Sequence, residues 1–244
     1  DAVPGGVSDI TKMPLQGISG SVHPYEIPDL IGWYRADYGI TIEAGLVTRW
    51  QDLSGNRFHA GQVTATGITL TASSYLNNKP AVEFDGTSIL TASYNSKMQS
   101  SNMTVFIAGV IGRDASPAWA TYQTFVSRTS SGGWSDGWAL GSRDTSEASA
   151  FWFDGYTNYV QKAGYTNLPT KLIGTGRAGS NIIFRSNRYS AGTAAMGSTA
   201  ATTADLIIGG AAGGYTCNGL IAEIFIYRRA LTDSEMNQVE QYLV

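Results

Sequence analysis

The chain has little charge. Only 14% of its 244 residues are Asp, Glu, Lys or Arg, against roughly 25% in soluble domains at large. Its 16 basic and 19 acidic side chains leave a net charge of −3, and no Lys/Arg cluster stands anywhere. Nucleic acid or an anionic membrane would require such a patch, so neither is the expected main partner. No apolar run approaches the ~18 residues that a membrane-spanning helix needs. Cysteine is almost missing: Cys217 stands alone, so no internal disulfide can form. Its thiol reads as a small buried or turn residue rather than a reactive group. An extracellular animal module of this size usually carries bridges, so their absence points to a bacterial or viral source. No signal peptide is visible, and the chain starts at Asp1 as a processed or trimmed chain does.

Gly, Ser, Thr, Asn and aromatics fill the space that charge leaves, a mixture suited to strands, tight turns and polar uncharged surfaces. With 43% hydrophobic residues the chain can bury one substantial core, and the expected organisation is one domain. Residues 1–28 differ from the rest. They hold four of the seven prolines (Pro4, Pro14, Pro24 and Pro28) and no sustained periodicity. They read as an extended N-terminal arm, expected to serve assembly with a neighbour, ahead of a domain over 29–244.

Strand signals run from residue 30, at 31–35, 46–50, 81–84, 103–111, 122–128, 137–141, 150–154, 171–177, 181–186 and 206–209. The small-residue stretch 190–204 reads as a loop. At the end, 220–227 is apolar on both faces, with Leu220, Ala222, Ile224 and Ile226 expected on one and Ile221, Glu223, Phe225 and Tyr227 on the other. Such a strand lies inside a stack. Thr232 followed by Glu235 is a capping box, Leu231 can staple onto Met236, and Met236, Val239 and Leu243 repeat at helical spacing. The expected fold is all-β, a two-sheet antiparallel jelly-roll sandwich with one short C-terminal helix.

Five segments then stand in a familiar order: Gly-Trp-Tyr-Arg-Ala-Asp at 32–37, Trp-Gln-Asp-Leu-Ser-Gly-Asn at 50–56 with Ala60, Pro-Ala-Val-Glu-Phe-Asp-Gly at 80–86, Met-Thr-Val-Phe at 103–106, and 219–235. With them the chain resembles the laminin-G-like, concanavalin A-like lectin superfamily, in particular its bacterial and phage modules. That resemblance implies a surface role in binding carbohydrate or a protein partner; many members bind calcium, and some relatives cleave glycans. The arm and the absence of a Trp-His pair from 171–177 depart from the pattern.

Glu83 and Asp85 are two apart, but Asp85 sits in an Asp-Gly turn, and the spacing of a glucanase is absent. His23 lies in the arm and His59 follows a turn, so no triad forms. No catalytic residue and no resident cofactor are expected. Asp52 and Asn56 flank a glycine turn and could present oxygens to calcium, or satisfy that turn's own donors. The aromatics between 119 and 165 are the stronger clue, because sugar rings dock their CH faces on Trp and Tyr while polar groups bond the hydroxyls. Trp138 and Trp152 fall on strands and suit the core. Trp119, Trp134, Tyr156 and Tyr159, with Asp136 and Asn158, form the expected carbohydrate-binding set. The reading is a non-enzymatic module on an extracellular or virion surface. A particle-decoration protein assembled through residues 1–28 is the alternative, and a glycan hydrolase or lyase a remoter one.

Overall fold

The computed structural model describes residues 23–62, 66–111, 123–131, 134–144, 147–152, 158–162, 170–196 and 202–244. Seventeen strands and one α-helix are found among them. The first strands are β1 (Leu30–Arg35), β2 (Ile40–Glu43), β3 (Leu46–Trp50), β4 (Ala60–Gly61), β5 (Thr69–Ser73) and β6 (Lys79–Asp85). Then come β7 (Leu90–Ala92), β8 (Met103–Ile111), β9 (Gln123–Arg128), β10 (Trp138–Asp144), β11 (Glu147–Trp152) and β12 (Tyr159–Lys162). The last are β13 (Thr170–Ala178), β14 (Asn181–Ser186), β15 (Tyr189–Ala195), β16 (Leu206–Ile208), β17 (Asn218–Tyr227) and the helix α1 (Asp233–Tyr242).

All pairings between these strands are antiparallel. Sheet I runs β15-β14-β13-β8-β17-β6-β5, with β1 also on β17; sheet II runs β12-β11-β10-β9-β16-β7-β4-β3-β2. The all-β sandwich with a terminal helix is therefore the observed architecture. Its core lies between the sheets and includes Tyr34, Trp50, Phe84, Phe125, Trp138, Phe184 and Ile224, together with Cys217. Burial pushes the Cys217 thiol up, out of nucleophilic range.

Strand β17 departs from the expected alternation. Ile221, Ile224 and Ile226 face the core, whereas Phe225 and Tyr227 pack under the helix and Leu220 and Ala222 face the same outer side. The cause is a bulge: the register on β8 slips between Ile221 and Glu223, leaving Ala222 as the extra residue. Before the bulge the parity is reversed. The helix forms as expected. Thr232 and Glu235 close a capping box, and Met236, Val239 and Leu243 join Leu231, Trp33, Phe106 and Phe225 in a second apolar cluster outside sheet I. The Arg229 guanidinium, bonded to both Glu235 oxygens at 2.9 and 2.5 Å, holds that carboxyl at about 2. Glu240 is buried, but Thr175 and Arg185 donate to its two oxygens at 2.6 and 3.2 Å.

The stretch 190–204 is corrected by the structure. Over Tyr189–Ala195 it is an edge strand, paired with β14 through six registers. Small residues carry no packing signal, but the main chain alone supplies the ladder. Of the arm, residues 23–28 are described and lie against their own sandwich. His23 and Glu26 cap a short turn, Tyr227 donates to the Pro24 carbonyl at 2.8 Å, and Ile27 is buried beside Trp33.

Candidate functional site

On β10, Trp138 and Leu140 enter the core, so Ala139 faces outward. The registers set Ala139 opposite Ser127 of β9 and Phe151 of β11, and Phe151 opposite Tyr159 of β12. Two loops close over Ala139. In one, Ser127 donates to the Gly210 carbonyl at 2.8 Å, which brings Ala211 down onto Ala139. In the other, Trp134 is inserted against both alanines and is 1% exposed. The Tyr215 ring lies 4.8 Å from the Trp134 ring, tilted by 44°. Tyr159 packs on the same cluster, and both tyrosines are half-buried.

Trp134 holds a left-handed backbone, φ +53°, a conformation that costs a bulky residue on the order of 1–3 kcal/mol. The surroundings enforce it. Asp136 accepts from the Ser130 amide at 2.9 Å, the Thr129 hydroxyl at 3.2 Å and the Thr202 hydroxyl at 2.6 Å. Burial works against its charge, yet these donors hold it below the usual carboxylate range. Gly137 follows at φ +76°, where a Cβ would fall 1.7 Å from the Arg128 carbonyl oxygen. Beneath the loop, buried Arg128 donates to the carbonyls of Met98, Thr202 and Ala204 at 2.5, 2.6 and 3.3 Å. Burial lowers its guanidinium to about 10, so it stays charged at neutral pH. Arg128, Thr202 and Asp136 thus form one polar chain under the aromatic cluster.

Of the residues expected to bind carbohydrate, Trp119 and Tyr156 lie outside the described residues. Trp134 and Tyr159 come together, with Asn158 half-buried beside Tyr159. Asp136 turns its oxygens to its own loop, and Trp134 supports the tyrosines from below. Tyr215 completes the group and was not anticipated. Its sole sequence signal is an aromatic just after the Gly/Ala run 209–214.

The other candidates have internal partners. Asp52 is buried, and its oxygens accept from the amides of Trp33, Ser54 and Phe58 and from the Ser54 hydroxyl, all at 2.9–3.0 Å. Asn56 donates to the Leu30 carbonyl at 3.3 Å. Asp85 accepts from the amides and hydroxyls of Thr87 and Ser88. One carboxylate stands apart. Glu223, just past the β17 bulge, takes the Trp33 indole N–H at 2.8 Å and the Tyr242 hydroxyl at 3.2 Å, both on Oε1. Arg35 lies 3.9 Å from it. Burial pushes its carboxyl up to about 7, partly offset by the Trp33 bond and by Arg35.

No protein-family model and no curated protein matches the chain. Solved structures do. The binding domain of Paraclostridial Mosquitocidal Protein 1 superposes with a TM-score of 0.62 at 13% identity, over 90% of this chain and 53% of its own. Trypanosoma rangeli sialidase in complex with sialic acid gives 0.61 at 12% identity, over 87% of this chain and 32% of its own. Domain 4 of AbnA, an extracellular GH43 arabinanase of Geobacillus stearothermophilus in complex with arabinotriose, gives 0.58 at 14%, over 87% of this chain and 98% of its own. The chain therefore spans about half of the first of these and about a third of the second. At such identities the likeness is one of fold, and it defines the class: a two-sheet antiparallel β-sandwich.

Proposed function

We propose that this protein is a non-enzymatic carbohydrate-recognition module of an extracellular or virion surface, whose ligand stacks on Tyr159 and Tyr215. The observation that carries this reading is Trp134, a strained and fully buried indole held beneath two half-exposed tyrosine rings. Backbone strain of this kind persists only where the surroundings over-determine it, and it clusters at working surfaces. Tyrosine faces with Asn158 alongside suit the CH faces and hydroxyls of a sugar. Two structural neighbours were solved with sialic acid and arabinotriose, which supports a saccharide as the ligand class. Against catalysis by the Glu83–Asp85 pair stands the capture of Asp85 by its own turn.

Binding to a glycan array tests this reading. Tyr159→Ala and Tyr215→Ala should each weaken binding roughly tenfold or more, about 1.4 kcal/mol, with the thermal midpoint little changed. Unchanged binding by both folded variants would remove the site. Assembly through residues 1–28 is the second reading and, with residues 23–28 held on their own sandwich, would fall to residues 1–22. Sedimentation of a chain lacking residues 1–22 tests it: the same number of subunits with and without them rejects it.

A further inference from the structure

The outer face of sheet I is covered in two places. The helix covers Phe106, Phe225 and Tyr227, and the turn at 74–76 brings Leu76 onto Val110 and Leu220. Between these covers lies a cleft of about 240 Å³. Its floor is small, with Ala108 of β8 and the bulged Ala222 of β17, and Glu223 lies beside them. Tyr242 stands on one wall and Asn77 on the other.

Charge is unevenly satisfied around this cleft. At one end Arg35 is already neutralised, bonded to Asp37 at 3.0 and 2.6 Å. Elsewhere Lys79 and Lys171 both line the cleft. Among the described residues neither pairs with an Asp or Glu, and Lys171 donates to the oxygen of Val244, the last residue of the sequence, at 3.0 Å. Burial and the neighbouring Lys79 hold the Lys171 ammonium below its ordinary value. Two neighbouring ammonium groups beside one concavity, neither paired with an Asp or Glu among the described residues, attract an anion. Glu223 supplies the complementary feature, since both of its donors sit on Oε1 and Oε2 remains to accept a ligand hydroxyl.

We propose that this cleft is a second ligand site, on the opposite sheet from Tyr159 and Tyr215, for a small acidic saccharide whose carboxylate lies at Lys79 and Lys171 and whose hydroxyl bonds Glu223. The mixed lining selects the class. A bare anion would leave the Glu223 acceptor unused, and a neutral sugar would leave the Lys79 ammonium without a counter-charge.

The test is titration of the full chain with D-glucuronic acid, D-glucose and acetate, followed by amide chemical shifts. Glucuronic acid is expected to bind with shifts confined to the cleft, at least tenfold more tightly than glucose or acetate, and more weakly as salt rises. The double variant Lys79→Gln/Lys171→Gln should lose at least tenfold, and Tyr215→Ala should lose nothing. Equal affinity for glucose, or full binding by the double lysine variant, overturns the proposal. So does acetate binding as tightly as glucuronic acid, or no binding of any probe. Because the Tyr215 surface is read out separately, failure here leaves the first site standing and failure there leaves this one.

Discussion

Glu223 makes a prediction whose size follows from its position. Its side chain is 14% exposed, and burial raises its carboxyl from 4.5 to about 7. A carboxylate raised in the folded state binds its proton more tightly there than in the unfolded chain. Its contribution is therefore favourable at acid pH and is lost as pH climbs from about 4.5 to about 7. A shift of roughly 2.5 units corresponds to about 3 kcal/mol. Of the groups facing it, the Trp33 donor, Arg35 and the Tyr242 hydroxyl pull the value down, while Asp37 pushes it up. Glu223→Gln keeps an oxygen for Trp33 and Tyr242 but cannot ionise. Urea unfolding at several pH values should find the variant close to wild type near pH 4 and more stable by about 3 kcal/mol near pH 8. The comparison must be a difference. Burial lowers His23 and His59 below 6.5, so their contribution is present above 6.5 and lost as pH falls, the opposite sign. A wild-type-minus-variant difference constant within about 0.5 kcal/mol from pH 4 to pH 8 would refute the reasoning.

Two further substitutions probe the base of the aromatic cluster. Gly137→Ala places a methyl against the Arg128 carbonyl at φ +76° and should cost well over 1 kcal/mol in chemical denaturation; a neutral result would show that the loop is slack. Arg128→Met removes the donors to three carbonyls while keeping the stem, and should cost on the order of 3 kcal/mol, with glycan binding falling alongside it. Stability unchanged within about 0.5 kcal/mol would deny the guanidinium its supporting role.

Much of the fold was legible because the signals are local. β-Branched runs mark β8, β14 and β17, and the Thr232–Glu235 pair and the Met236, Val239, Leu243 spacing mark the helix. What escaped depends on distant partners. β15 has no branched run, and its ladder comes from β14. Tyr189–Ala195 therefore looks like loop until its neighbour is in place. The candidate site was half legible. Aromatics in Gly/Ser-rich context flagged Trp134 and Tyr159, but nothing local says which one is buried. Asp136 reads as a ligand acceptor until Thr202, 66 residues away, is seen to occupy it. Tyr215 reaches the group only because Ser127 holds Gly210 across sheet II.

The β17 bulge shows most clearly why a site can be invisible in a strand that is itself obvious. A period-2 reading assigns Ala222 and Glu223 to opposite faces and leaves Glu223 beside Ile221. The extra residue breaks that rule, since Ile221 turns inward while Ala222 and Glu223 both line the cleft. The bulge therefore does two things at once. It aims a carboxylate at Trp33 and Tyr242 with one oxygen left over, and it places a methyl where a large side chain would fill the trough. Deleting Ala222 would remove the bulge and leave Leu220 outward, Ile221 inward, Glu223 outward and Ile224 inward, a regular alternation that keeps each of these side chains on its present face. Replacing Ala222 with Leu keeps the bulge but fills the floor. That variant should fold normally, with binding in the cleft abolished and binding at Tyr159 and Tyr215 intact. If Ala222→Leu still bound glucuronic acid as wild type does, the trough between the helix and the 74–76 turn would not be where the acid sits.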